Sequence, residues 1–151
     1  MGNSLKDNFE DFIDQTNEER SRAETRRDFR DLKQWTSEEV ATLEERDQAA
    51  IVFDQFGKKV DAIGGLEVQR RSDPKAYPMT PKHEKAADAI TDALRYVETH
   101  TAFDAIASEV FEDKIVEGYG GCITEFDPKA KKIKITQLDW DRIYFDPHSR
   151  R

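Results

Sequence analysis

The residues of this chain suited to chemistry are three histidines, one cysteine, two glycine pairs and 32 carboxylates. A zinc site needs nitrogen, sulfur or carboxylate ligands at short, regular spacing. His83, His100 and His148 fall in different predicted elements, and none stands at ligand spacing with Cys122 or a carboxylate. Cys122 opens a predicted strand beside small residues, with no neighbouring His or Lys to lower its pKa, so it reads as a buried or half-buried small hydrophobe. Acid–base catalysis needs two carboxyl groups held in contrasting environments within a pocket. The carboxylates here map mostly to solvated helical faces. Gly118-Tyr119-Gly120-Gly121 precedes a strand, whereas a dinucleotide or phosphate loop follows a strand and opens a helix; no Gly-Lys-Ser/Thr is present. The residues therefore predict no catalytic, cofactor-binding or metal-ligating site, and no enzyme.

What these residues decorate is a set of elements, best marked in the last third. Phe103, Ile106, Ala107, Val110, Phe111 and Ile115 recur at helical spacing over Phe103–Glu117. The glycines after Glu117 end that helix, because glycine takes positive φ without steric penalty. Lys132-Ile133-Lys134-Ile135-Thr136 alternates as a half-buried strand should, which puts Lys132 and Lys134 on the exposed face. Asp127-Pro128-Lys129-Ala130-Lys131 supplies the turn from a preceding strand over Cys122–Asp127. Ile143-Tyr144-Phe145 reads as a short third strand ending on Asp146-Pro147. Trp140, between Asp139 and Asp141, is expected to pack under the sheet.

Upstream, Leu5, Phe9, Phe12 and Ile13 open a helical stripe that thins into an almost wholly charged run from Asn17 to Asp31. Glu18 with Arg22 and Glu24 with Arg27 are spaced to pair along an exposed helix, each worth about 0.2–0.5 kcal/mol. Trp35 then sits just outside a capping box formed by Thr36 and Glu39, as a packing anchor. A third helix is predicted from Gln48 to Ile63, stopped by Gly64-Gly65, with Leu66–Arg70 as a short strand. Residues 72–81 hold three prolines and form a loop. Thr80 caps the next helix with Pro81 at its first position, and Ala86, Ile90, Ala93, Leu94 and Val97 make its buried stripe. Thr101 is placed to cap the helix after it. The fold class is α+β: a long charged N-terminal helix, then several amphipathic helices on a small antiparallel sheet with a C-terminal hairpin. Residues 1–47 form a charged helical arm and 48–151 the body.

Composition bounds the function. Of 151 residues, 36% are hydrophobic and 37% charged, so the core is thin and some helices are solvated. No apolar run is long enough to span a bilayer and no signal-peptide pattern opens the chain, while a single cysteine fits a reducing cytoplasm. The net charge of -8 is uneven. Residues 1–49 hold 8 Lys+Arg against 14 Asp+Glu, and residues 122–151 hold 7 against 5. Phosphate binding needs a strong basic excess, which no segment has. The four lysines at the hairpin tip, Lys129, Lys131, Lys132 and Lys134, solubilise it or meet an acidic neighbour, such as the acidic helices of another copy.

The order of these features resembles the N-terminal part of a tailed-phage portal protein, the head-to-tail connector of short-tailed phages. The resemblance is carried by the charged helix before Gln34-Trp35, the helix to Ile63 and Leu66–Arg70. Its strongest part is Ala105-Ile106-Ala107 through Glu117-Gly118-Tyr119-Gly120, then the hairpin, then Ile143-Tyr144-Phe145-Asp146-Pro147. It covers nearly all of this chain and an early fraction of a portal, so the body would be an incomplete portal wing. It implies a virion protein made in the bacterial host cytoplasm, a ring of identical subunits at one capsid vertex. Double-stranded DNA is packaged and ejected through such a ring without tight binding. The terminase large subunit, capsid proteins and tail or adaptor proteins dock on it, with no cofactor and no membrane. Trp35, Gly118, Gly120, Trp140, Asp146, Pro147, Lys132 and Lys134 are the structural or interface candidates.

The glycine run is longer than the family's Gly-x-Gly, the hairpin loop is short, and the chain stops where portals continue into stem and clip. A truncated gene, prophage remnant or partial fragment is therefore expected, one too polar to hold a stable ring alone. The alternative is a stand-alone acidic helical adaptor without portal function.

Overall fold

The computed structural model describes residues 4–145. Ser4 caps a 26-residue helix, α1 (Leu5–Arg30), through a capping box with Asp7. The predicted box of Thr36 and Glu39 is present and starts α2 (Ser37–Glu45). The long third helix, α3, spans Phe56–Arg70. A single 3-10 turn at Pro81–His83 leads into α4 (Glu84–Thr101), and α5 runs Phe103–Val116. The hairpin follows as β1 (Gly121–Asp127) and β2 (Lys132–Leu138), paired antiparallel with Phe126 opposite Ile133 and Glu125 opposite Lys134. Among the described residues, five helices on a two-stranded antiparallel sheet make the α+β class expected.

α5 is the hub, in contact with α1, α3, α4 and both strands. The core around it is thin: Phe12, Ala23, Val60, Ala87 and Val116 are its buried hydrophobic residues among those described. Gly118 leaves α5 with φ 101°, a left-handed angle that favours glycine. Gly120 then brings the backbone against α5 so closely that a Cβ there would lie 2.5 Å from the Val110 carbonyl oxygen. That contact sets the hairpin on the helix.

Several expectations are corrected. The segment before Phe56 is irregular rather than helical from Gln48, because the Asp54 carboxylate accepts the Gly57 amide at 2.7 Å and so defines the helix start. Gly64-Gly65 does not stop α3, and Leu66–Arg70 is helical rather than a strand. Packing against α5 and two 2.6 Å bonds from Arg71 back to Glu67 outweigh the glycines' weak helix preference. Ile143–Phe145 adds no third strand. The Tyr144 ring instead packs edge-on to Phe9 and Phe12, at 4.7 and 5.4 Å.

Thr80 makes no side-chain cap bond, and the Thr101 hydroxyl donates back to Val97 rather than forward into α5. Left-handed Ala102 (φ 51°) makes the break between α4 and α5. In α4, Ala86, Ile90, Ala93 and Leu94 are exposed, with Val97 half-buried; Ala87 is the residue that goes inside. Cys122, expected to be buried or half-buried, is exposed on β1.

Candidate functional site

The densest chemistry lies where α1 crosses the end of α5. Arg20, Ala23, Arg27 and Arg30 recur at three- and four-residue spacing and so share one face of α1. Ala23 is fully buried, which lets the helix backbone come close, and the three arginines reach past it. Arg27 Nη2 donates to Asp113 Oδ1 at 2.7 Å, and its Nε donates to Glu117 Oε1. Arg30 spans two helices, at 3.0 Å to Glu112 of α5 and 2.8 Å to Asp61 of α3. From the sheet, Gln137 Nε2 donates to Asp113 Oδ2 at 2.7 Å. Asp113 thus joins α1, α5 and β2 with both oxygens in use. Arg20 closes the far end, donating to the Tyr119 hydroxyl at 3.0 Å and the Ile143 carbonyl at 3.4 Å. Its guanidinium also lies 4.7 Å from the centre of the Tyr144 ring and 5.6 Å from that of Trp140.

Burial raises the carboxyl pKa of both Asp113 and Glu117, even with Arg27 bonded to each. For Arg27, burial pulls its pKa down, but bonding to Glu117 and the charges of Asp113 and Glu112 outweigh it, and the net shift is upward. The Glu117 side chain is 0% exposed, and its Oε2 has no hydrogen-bond partner among the described residues. Carboxylates held this way are taken up by arginines. The arrangement clamps elements together, and among the described residues no group of three or more His, Cys, Asp or Glu is placed to hold a metal.

The predicted residues do not converge on this clamp. Trp35 donates through Nε1 to the Ile51 carbonyl at 3.3 Å and closes the loop around α2. Trp140 sits in a 3-10 turn, half-buried, with Tyr119 edge-on at 6.2 Å and Arg20 over it. Gly118 and Gly120 join α5 to the hairpin. Lys132 and Lys134 are exposed on the outer hairpin face, opposite Asp127 and Glu125. Asp146 and Pro147 lie outside the described residues.

A family model described as the phage P22-like portal protein matches residues 6–151. The chain belongs to the P22-like portal protein family. Among curated proteins none matches it. Portal proteins of this family are structural rather than enzymatic. No helix among the described residues of this portal-family chain is long and apolar enough to cross a membrane.

Sequence reasoning missed Arg20, Arg27, Arg30, Asp113 and Glu117 as a group. Glu18 and Arg22 do pair along α1, at 2.5 Å, but Arg27 turns from Glu24 to α5. The available clue was the spacing of the three arginines around Ala23, a helical face carrying one charge sign.

Proposed function

We propose that this chain is a portal subunit, one copy in a ring at the capsid vertex through which double-stranded DNA is packaged and later ejected. The match of the portal family over residues 6–151 carries this reading. In this reading the terminase large subunit docks on the ring during packaging, and tail or adaptor proteins dock beneath it afterwards. Residues 1–47 act as an arm and 48–151 as part of the wing, with the arginine face of α1 locking the arm onto the body. The acidic surface suits a passage in which DNA slides, since few phosphates can be neutralised. Synthesis takes place in the host cytoplasm and the working location is the virion.

The test is genetic. A nonsense codon early in this reading frame should leave capsids that contain no packaged DNA, measured as nuclease-resistant DNA per particle. Normal DNA content would sink the portal reading and favour an acidic adaptor.

A further inference from the structure

Two surfaces of the chain are unfinished, and they are complementary. The first is a groove of about 410 Å³ between α4 and the hairpin tip. Ala93, Tyr96 and Val97 form one wall, and Phe126, Ile133 and the turn residues Ala130 and Lys131 the other. Phe126 is 64% exposed, and the apolar surface runs on along α4 through Leu94 and Ile90, which are 44% and 53% exposed. Lysines surround the tip, and among the described residues none of Lys129, Lys131, Lys132 and Lys134 has an ion-pair partner.

The second is the start of α1. Leu5, Phe9 and Ile13 form one i,i+4 row; Leu5 is 90% exposed, and Phe9, with one edge against the Tyr144 ring, is still 42% exposed. Asp7, Glu10, Asp11 and Asp14 flank that row; Lys6 lies 3.5 Å from Glu10 and Asp7 is held in the Ser4 capping box, while Asp11 and Asp14 have no ion-pair partner among the described residues.

We propose that the groove receives the first turns of α1 from a second copy of this chain. An amphipathic helix laid in an apolar groove is a recurrent mode of recognition, and here its acidic flanks meet a lysine rim. The two patches do not cover each other within one chain, since Leu5 and Phe126 both remain open. Complementary patches at different places on one molecule make a head-to-tail contact, which closes into a ring when the rotation allows. α2, the other acidic helix near the N-terminus, fits less well, because its Val40 and Leu43 are already half-buried. The proposal rests on the ring reading above and assigns that ring one of its subunit contacts.

Cysteine pairing tests it. In a Cys122→Ser background, Glu10→Cys and Lys132→Cys are made as separate full-length proteins, mixed and mildly oxidised. A disulfide-linked heterodimer is expected, well above the yield of Glu10→Cys mixed with Lys59→Cys on α3. Adding Lys131→Glu should cut the yield at least about fivefold, and Asp14→Lys on the partner should restore it. Equal yield at Lys59→Cys would reveal random collision and overturn the pairing. Sedimentation of the parent separates the two failures. Self-association without the cross-link overturns the pairing and leaves the ring intact. No cross-link with a monomer at every concentration overturns the pairing alone, because a chain this polar is expected not to hold a ring by itself, and the ring reading is then judged by packaged DNA.

Discussion

Arg27 is held 25% exposed between Asp113 and Glu117, whose side chains are 9% and 0% exposed. Removing it strands two buried carboxylates, a loss that typically costs about 3–5 kcal/mol. Arg27→Ala should therefore melt far below the parent, and Arg27→Lys should recover only part, because an ammonium lacks the fork that reaches both acids. Loss of only a degree or two would show that α1 is held without the clamp. Glu117 yields a pH test. Its folded pKa lies above the ordinary 4.5, so between the two values the folded state binds the proton more tightly than the unfolded state does. This contribution to stability is present in acid and lost as pH rises through the folded value. Glu117→Gln cannot titrate, so its stability relative to the parent should rise with pH above about 4.5, read as the difference in urea midpoints. A difference that stays flat from pH 4 to pH 8 would place Glu117 in contact with water.

Elements were misjudged where local preference and packing disagree. Leu66-Glu67-Val68-Gln69-Arg70 alternates like a strand and follows two glycines, yet it is the second half of α3. Nothing approaches within 4 Å of where a Cβ would sit on Gly64 or Gly65. Both therefore have room for alanine, which is favoured over glycine inside a helix by about 0.5–1 kcal/mol per site. Gly64→Ala with Gly65→Ala should raise the melting temperature by several degrees. A fall would mean that the chain breaks at the glycines, as the alternation suggested. The hairpin and α5 were legible to within a residue, because strict alternation and an apolar stripe leave one consistent reading. α4 was legible as a helix but not in its orientation: its stripe is apolar and yet exposed, and a pattern alone cannot say whether its cover comes from the same chain.

For the whole molecule, a charge of -8 with no strongly basic segment predicts weak DNA binding. Fluorescence anisotropy with duplex DNA in about 100 mM salt should show no complex at low micromolar protein, since only a few counterions can be released. Tight binding that weakens steeply with salt would contradict a sliding passage. The sequence by itself determined the class, the long charged helix, the hairpin and the portal resemblance, because those rest on local periodicity, turn chemistry and the order of elements along the chain. Tertiary structure alone decided where the charges of α1 go. A helix of exposed arginines and one that docks through them share the same local pattern, and they differ only in whether Asp61, Glu112, Asp113 and Glu117 lie within reach. Those acids lie between 31 and 90 residues further along, so no short-range spacing could have paired them. Burial then separates these pairs from ordinary surface ones: with little water between charges, an arginine and a carboxylate hold two helices together, whereas the exposed Arg22–Glu18 pair adds little.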